Sequence, residues 1–490
     1  MKKQLAVIAI LATVGGFAKA DDKGTEFKFG GEVRQTYFNN QAANLAGGGA
    51  GGATTTSSWA DRNMFHVNAI SSDKLQAYFN FVHTAVWGGA LAVPTNGQPY
   101  TNNTGGANPN NGAATIQNTL QVSEAWFWWK LSDNTSLRSG RQSMDYGDGL
   151  VFSKNDWLGT PYNVDGIMAR MSWDFMDLDF GGGVLADMGS VNPATGTTPY
   201  SGTDAQIDFY GFYAQFKGLP DAIKKAELFV LQTNADSPTA PNTFMPGATL
   251  GGGNLGLTTI GLHAKGDFSM IDYRLDGVLQ TGKQNSGGTL AQSVTFGGNM
   301  IDAEIGANFA EFMKARVFVN YHVDSGDNNT AATRTSQNSY QPLFFDRHTY
   351  SGGMNMFGFG NLTNLRIGAA INPSEDTNIG LEVDMLSRTS TSVVPGGFSA
   401  TNWLSAADGN MFGCTGGGAA QGGICTPPVA TNGANSGLGT EFQIHASHNY
   451  GHGFSMLAQV GYLTLGNYFT SNGASTTNPM QFVGQAKYQF

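Results

Sequence analysis

Charged residues are scarce in this 490-residue chain, and long apolar stretches are lacking. Asp, Glu, Lys and Arg make up 13% of the sequence, whereas soluble proteins usually carry roughly 25%. The N-terminal apolar run at residues 5–18 falls short of the roughly 20 residues that a spanning helix needs. The composition therefore argues against an ordinary soluble domain, and nothing in the chain resembles a transmembrane helix.

Cysteine and basic residues are also few. The only cysteines, Cys414 and Cys425, lie in a glycine-rich stretch. In an exported protein they predict one disulfide that closes a loop; a metal pair is the alternative, although no His or acidic residue lies between them. The 26 basic residues less three lysines in residues 1–20 leave 23 against 36 acidic ones, a net charge of −13. This sign disfavours a nucleic-acid binder.

The first twenty residues have the pattern of a secretory signal. Lys2 and Lys3 precede the apolar run, and Ala18 and Ala20 form a small-x-small cleavage site. The mature chain is expected to begin at Asp21 and to form a single domain over residues 21–490. An uncleaved membrane anchor is the alternative, and the shortness of the apolar run speaks against it.

Glycine and aromatic residues are abundant: 68 Gly, 32 Phe, 16 Tyr and 8 Trp. Only helices and closed barrels satisfy their backbone polar groups in lipid. Aromatic residues suit the lipid face and the interfaces of such a barrel, and glycine suits its loops. We therefore predict an all-β fold, a transmembrane antiparallel up-and-down β-barrel, with localisation in a bacterial outer membrane.

Residues alternate between apolar and polar with the period of two that strands require. Residues 314–324 place Val317, Val319 and Tyr321 on one face, and Arg316, Asn320 and His322 on the other. A half-buried strand of a soluble sandwich alternates in the same way, so the alternation alone predicts only strands. The ends of the chain indicate where the strands lie.

About eighteen such segments can be counted, with sixteen as the alternative. Turn-like links occur at residues 71–74, 132–135, 266–269 and 373–376. Long links rich in Gly, Asn, Thr and Ala occupy 41–58, 88–117, 188–204, 234–256, 325–360 and 387–438. This asymmetry is typical of short periplasmic turns and long extracellular loops. Because their composition cannot bury a core, the long links are expected above the barrel, with a few folding inward over its mouth.

The last strand carries a terminal aromatic pair. In residues 480–490, Phe490, Tyr488 and Phe482 share one face, and Gln489, Lys487 and other polar residues take the opposite one. A terminal Phe with an aromatic two residues earlier resembles the signal that the outer-membrane barrel-assembly machinery reads. An ordinary edge strand is the alternative. The signal implies that this machinery, outer-membrane lipid and lipopolysaccharide are partners.

A second stretch resembles the alginate-export family of outer-membrane barrels. Gly140-Arg141-Gln142 is followed by Tyr146-Gly147-Asp148 and later by Asp165-Gly166. The resemblance covers about thirty residues and implies an eighteen-stranded barrel. Members that export alginate line the pore with arginines, whereas the inward faces here mix acids and bases almost equally. Family relatives act as monomers and many general porins are homotrimers, so the oligomeric state stays open.

Candidate pore residues come from the same stretch and from strand parity. The segment from Tyr146 to Asp165 is the preferred candidate for a loop folded into the pore, with Arg141 pairing with an inward carboxylate such as Asp165. The alternative is that these residues pack a loop above the rim. The candidates for the pore or its constriction are Arg141, Asp148, Lys154, Asp156, Asp165, Arg274, Asp276, Lys314, Arg316, Glu382 and Asp384.

Other constellations predict no chemistry. Trp126, Trp128 and Trp129 suit an interface girdle, with stacking of sugar rings in the lumen as the alternative. No set of Ser, His and acidic residues falls on one wall by parity, so no enzyme is expected. His445 and His448 are three positions apart on a predicted strand and point to opposite faces, so no metal site is expected. No cofactor is expected either.

The sequence as a whole predicts a porin for passive diffusion of small hydrophilic solutes and ions. Two alternatives stay open. One is an alginate-export-like channel for a sugar acid or a polysaccharide. The other is a surface adhesin or structural protein, for which the long loops rather than the lumen would carry the function.

Overall fold

The structure, a computed structural model, describes most of the chain apart from the N-terminus and parts of the long links. The described residues are 24–42, 54–86, 119–154, 156–157, 161, 163–187, 206–235, 254–285, 293–327, 335–341, 346–350, 352–354, 357, 359–391, 435–470 and 477–490. The predicted signal peptide and both cysteines, Cys414 and Cys425, lie outside these residues. So does most of the 387–438 link.

Twenty strands account for nearly all regular structure in the described residues. Their bounds are β1 (Glu26–Ala42), β2 (Thr54–Ser72), β3 (Leu75–Val86), β4 (Thr119–Lys130), β5 (Thr135–Gln142), β6 (Val164–Ser172), β7 (Met176–Asp187), β8 (Gln206–Phe216), β9 (Lys225–Ala235), β10 (Leu255–Phe268), β11 (Ile271–Gln284), β12 (Val294–Phe296), β13 (Asn299–Phe309), β14 (Ala315–Asp324), β15 (Ser336–Gln337), β16 (Leu362–Ser374), β17 (Thr377–Arg388), β18 (Gly437–Gly451), β19 (Phe454–Leu465) and β20 (Met480–Gln489).

Three short helical turns complete the regular structure of this part of the chain. They are the 3-10 turn Gly147–Gly149 and the helices Arg347–Tyr350 and Asn467–Thr470. No helix in the described ranges is long and apolar enough to cross a membrane.

Eighteen of the strands form a closed antiparallel barrel. Each pairs with its neighbours in chain order, and β1 pairs with β20 so that the sheet closes on itself, with Glu32 opposite Gln489 and Gln41 opposite Met480. The short strands β12 and β15 lie in the connections and pair with each other in parallel. The sequence prediction of eighteen strands is confirmed, and the alternative of sixteen is wrong.

The alternation along each strand divides the lipid face from the lumen. In β11, Leu275 and Leu279 are 42% and 65% exposed, whereas Asp276 and Gln280 are 2% and 5% exposed. Successive side chains of a strand point to opposite faces. The barrel is therefore apolar outside and polar inside, as lipid on one side and water on the other require.

The connections are short at one end of the barrel and long at the other. Two turn residues join β2 to β3, while residues 87–118 separate β3 from β4. The largest difference from the sequence prediction concerns β2, which begins at Thr54, inside the expected 41–58 link. Its first residues are mainly Thr and Ser and lack apolar alternation. They are strand because β1 supplies backbone partners as far as Ala42, which lies opposite Thr54.

The apolar core lies inside the barrel, in the half with the long connections. Leu150, Phe152, Met354, Phe357 and Phe359 come from connections and are each at most 3% exposed. Part of the 325–360 link therefore lies inside the barrel. Its glycine-rich average conceals a few large apolar residues, and burying each is worth about 1.5–3 kcal/mol.

Candidate constriction in the barrel lumen

The connection between β5 and β6, residues 143–163 and called here the crossing loop, begins with a sharp turn. Gly147, Asp148 and Gly149 all have positive φ, at 59°, 56° and 85°. Glycine adopts this conformation without steric cost, and Asp tolerates it better than most residues. The turn places Asp148 at a protruding tip.

Asp148 contacts basic side chains of β9 and β10. Lys265 Nζ donates to its two carboxylate oxygens at 3.0 and 2.7 Å, and Lys225 Nζ donates to Oδ1 at 3.3 Å. His263 Nε2 lies 3.6 Å from Oδ2. Burial acts to raise the pKa of the Asp148 carboxyl, but the hydrogen bond from Lys265 and the nearby charges of His263, Lys225 and Lys265 outweigh it. The net pKa is lower than usual.

Asp156, further along the crossing loop, contacts the wall at β1 and β2. Arg34 and Arg62 both donate to its backbone carbonyl oxygen, at 2.7 and 2.9 Å, and Arg62 donates to its carboxylate at 3.0 Å. Burial opposes ionisation of Asp156, but the charges of Arg62 and Arg34 outweigh it and lower the carboxyl pKa.

The positions of the same two arginines explain why a negative charge stabilises the wall at β1 and β2. Arg34 and Arg62 lie directly opposite each other in the β1–β2 register and are 5% and 2% exposed. Like charges placed opposite each other destabilise a sheet. Glu32 offsets part of this repulsion, since Arg62 donates to it at 3.0 and 2.7 Å. Asp156 supplies the second carboxylate.

The two anchor points of the crossing loop lie nearly opposite each other. β2 and β10 are eight strands apart in the eighteen-strand wall, almost half of the circumference. A connection that touches both must pass across the lumen. The described residues of the crossing loop therefore reach two nearly opposite parts of the wall.

A second inward segment, residues 346–359, packs against the crossing loop. Tyr350 Oη donates to the backbone carbonyl of Asp148 at 2.7 Å, and the His348 ring stacks on Trp157 at 3.6 Å between centroids. The Arg274 guanidinium lies 4.8 Å from the Tyr350 ring centroid. The two segments thus support each other and dock on the wall at β11.

The wall at β11 and β13 carries paired charges that face the lumen. Arg274 donates to Asp302 at 2.6 Å and lies 3.6 Å from both Asp276 and Glu304. His263 Nδ1 lies 2.7 Å from Asp276.

Further round the lumen, Arg316 binds Asp272 and Glu304 at 2.5 and 2.7 Å. Arg366 on β16 binds Asp384 at 2.8 Å and lies 3.7 Å from Glu382. Each of these three arginines has at least two carboxylate neighbours, and the six carboxylates of this wall outnumber its arginines.

Several of these lumen residues were not among the sequence candidates. They are Arg62, Lys225, His263, Lys265, Asp302, Glu304 and Arg366. Strand parity could have placed each of them inward. Only the path of the crossing loop shows which of them meet it.

Two candidates do not face the lumen. Arg141 binds Asp165 through two hydrogen bonds of 2.8 and 2.6 Å, so the expected pair forms. It lies on the outer face together with Ile167, because the neighbouring positions Gln142 and Val164 take the inward direction and are buried. A one-residue change of position reverses the face of a strand. The prediction that Arg141 and Asp165 line the pore is therefore wrong.

Lys314 is also misplaced by the sequence prediction. It has φ of 49° and lies in the turn before β14 rather than in a strand. Its ammonium group is 3.7 Å from Glu375 in another short turn, and its side chain is 63% exposed. By contrast, Lys154 lies within the crossing loop near Asp145, whose pKa is raised mainly by burial.

The remaining sequence features can also be placed. Tyr488 and Phe490 are 44% and 59% exposed and stack at 6.0 Å. Phe490 is tied to β1 by backbone hydrogen bonds with Gly31 at 3.0 and 3.2 Å. Among the described residues, no group of three or more His, Cys, Asp or Glu could hold a metal ion.

The sequence was also compared with models of known protein families. A family model described as alginate export matches residues 25–403. The chain belongs to the alginate export family. The match includes the Gly140-Arg141-Gln142 and Tyr146-Gly147-Asp148 motifs from which the sequence suggested the family.

Solved outer-membrane barrels share the fold of this alginate export family member. OccK1 (OpdK) of Pseudomonas aeruginosa is 10% identical with a TM-score of 0.55, over 95% of this chain and 98% of that one. The structure of Pseudomonas aeruginosa OpdK with vanillate is 9% identical with a TM-score of 0.54, over 95% of this chain and 98% of that one. OccAB4 of Acinetobacter baumannii is 10% identical with a TM-score of 0.52, again over 95% of this chain and 98% of that one. No curated protein sequence matches. The protein is an outer-membrane channel.

Proposed function

We propose that this channel passes small hydrophilic solutes and ions by passive diffusion beside the crossing loop. The observation that carries the proposal is the contact of one loop with both Arg62 on β2 and Lys265 on β10. A segment held across the lumen leaves openings smaller than the barrel itself. Small solutes fit such openings better than a folded or branched polymer does.

The charges at the two anchor points support weak ion preference. The basic residues Arg34, Arg62, Lys225 and Lys265 are matched by the acidic residues Glu32, Asp148, Asp156 and Glu227. A pore selects ions through an excess of one sign at its narrowest point. Equal numbers of both signs give no such excess.

The test is conductance of the purified, folded protein in planar bilayers. We expect discrete current steps and a reversal potential near zero in a KCl gradient. A folded barrel that never conducts would refute the channel for diffusion. A strongly anion-selective reversal potential would instead favour the second candidate below.

The second candidate is a channel for a sugar acid or a polysaccharide, which the family match favours. A polyuronate should then block the current at low concentration. A third candidate, a surface adhesin, is separated by deleting residues 392–434. An adhesin would lose binding to its target surface, whereas a diffusion channel would keep its conductance.

We propose the following biogenesis and assembly. Residues 1–20 are removed as a signal peptide, residues 21–490 form one barrel domain, and Tyr488 and Phe490 are recognised by the barrel-assembly machinery. The lipid face then contacts outer-membrane lipid and lipopolysaccharide, in a monomer or a homotrimer without catalytic activity. Intact-mass measurement of the membrane protein tests the cleavage site, and mass measurement in detergent tests the oligomeric state.

A further inference from the structure

A cavity of about 250 Å³ opens into the lumen on the short-turn side of the crossing loop. Strands β3 to β7 form its wall, and Tyr146 of the crossing loop forms part of its edge. Its lining combines indole rings, guanidinium groups and hydroxyl or amide groups. These residues are Gln76, Trp126, Trp128, Ser136, Arg138, Tyr146, Met168, Ala169, Arg170 and Asp179.

Two tryptophans of β4 face this cavity, while their neighbours face lipid. Phe127 and Trp129 are 44% and 49% exposed on the outer surface. An interface girdle explains those two residues, but it does not explain aromatic rings on the lumen side. The inward pair, Trp126 and Trp128, therefore needs another role.

The inward rings differ in how they are covered. Tyr78 stacks on Trp126 at 5.0 Å, and the Arg138 guanidinium lies 5.6 Å from the same indole ring. Trp128 lies in register between Gln76 and Arg138 on the adjacent strands. Within the described part of the chain, no aromatic ring stacks on Trp128. Its ring is available to a solute that enters the cavity.

The guanidinium groups of the cavity are also unequal. Arg170 forms a two-bond pair with Asp179, both at 2.6 Å, and Tyr146 Oη donates to the same carboxylate at 2.9 Å. Arg138 donates only to neutral oxygens, those of Gln142 at 2.5 Å and of the Ser143 backbone at 3.5 Å. No carboxylate of the described residues lies within 4 Å of it.

These features indicate the chemistry of a solute that fits the cavity. A ring face suits Trp128, and one negative charge suits Arg138, whose guanidinium has donors arranged for a carboxylate. Ser136 and Gln76 offer further hydrogen bonds. The volume lies below the roughly 300–1,000 Å³ of pockets for drug-sized ligands, so it suits one ring rather than several.

We infer that this cavity is a binding subsite for a small solute that carries one six-membered ring and one carboxylate. The inference rests on the proposed diffusion function and adds a site that a solute binds after it has passed the crossing loop. Arg138 has a structural role as well, because it holds the start of the crossing loop through Ser143. That role requires neither the indole ring of Trp128 nor its inward direction.

The test is block of the bilayer current by glucuronate and by benzoate, with uncharged glucose as the reference solute. We expect one or both acids to block at concentrations at which glucose has no effect. Trp128→Ala and Arg138→Gln should each weaken the block about tenfold or more, as loss of a charge-assisted hydrogen bond or a stacking face implies. The matched controls are Trp129→Ala and Arg141→Gln, which change the same residue types on the outer face.

The outcomes separate the inference from the function on which it rests. If the channel conducts but neither acid blocks more than glucose, or if Trp128→Ala leaves the block unchanged, the subsite is refuted while the channel stands. If nothing conducts, the diffusion function itself fails. Block by benzoate alone, or by glucuronate alone, supports the subsite and identifies the ring. Should Trp128→Ala fail to fold, Trp128→Leu keeps the volume and removes the aromatic face.

Discussion

Replacing Asp148 by Asn tests whether the crossing loop is held across the lumen by its charged tip. Asn keeps the size of the side chain and tolerates the positive φ of 56° at this position. It removes the negative charge that Lys265 contacts at 3.0 and 2.7 Å. Lys225 retains Glu227 at 3.1 Å, whereas Lys265 loses the only carboxylate within 4 Å among the described residues.

The magnitude follows from the contacts that are lost. Hydrogen bonds to charged groups contribute about 1.5–3 kcal/mol, and the Asp148 side chain is 27% exposed, which favours the lower half of that range. We therefore expect the docked loop to lose about 2 kcal/mol. Since about 1.4 kcal/mol is tenfold in an equilibrium constant, the ratio of released to docked loop should rise about 30-fold.

The assay is single-channel recording, with current noise and substate frequency as readouts. Asp148→Asn should give more frequent transitions to higher conductance than the wild type. The matched control is Asp165→Asn, which removes an equally paired carboxylate from the outer face and should leave the current unchanged. Identical noise in the wild type and Asp148→Asn would contradict the loop-anchoring argument.

Acidification gives a second readout with a defined sign. The pKa of Asp148 is lower than its ordinary value of 3.8. A carboxyl with a lowered pKa stabilises the docked loop fully above that ordinary value, and this contribution is lost as the pH falls through the lowered pKa. The difference in substate frequency between the wild type and Asp148→Asn should therefore shrink below about pH 4, whereas it should be constant between pH 5 and 7.

Three further predictions concern the wall, the loops and the terminus. Arg62→Gln should lower the free energy of unfolding, measured by urea-dependent gel-shift assays, by about 2–3 kcal/mol, because the buried carboxylate of Glu32 then keeps only the longer contact with Arg34. Lys28→Gln changes an exposed residue and should leave the free energy of unfolding unchanged. Cys414 and Cys425 should resist thiol labelling until reduced, and labelling before reduction would exclude the disulfide. Deleting Phe490 should reduce the yield of assembled barrel without changing conductance, and an unchanged yield would exclude the terminal signal.

The sequence alone determined the barrel. Alternation with a period of two, short and long links in turn, and a terminal aromatic strand are local patterns, because each strand must present one face to lipid and one to water. The eighteen strands followed from these patterns. The exception was the start of β2, whose Thr- and Ser-rich residues are ordered by pairing with β1 and carry no alternation of their own.

Local patterns also predicted part of the site. The Tyr146-Gly147-Asp148 motif indicated an inward loop, and its glycines are what allow the sharp turn. The pairing of Arg141 with Asp165 was foreseen as well, but not its face. Face depends on the strand register at the rim, where a shift of one residue exchanges lumen and lipid.

Only the tertiary structure decided what the inward loop touches. Asp148 meets Lys265 and Asp156 meets Arg62 across roughly a hundred residues of chain or more. Such contacts produce no periodic pattern in the sequence. They form only because the closed barrel places strands that are eight positions apart on opposite sides of one narrow lumen. The sequence therefore defined a membrane channel, and the closed barrel determined which wall residues meet the crossing loop.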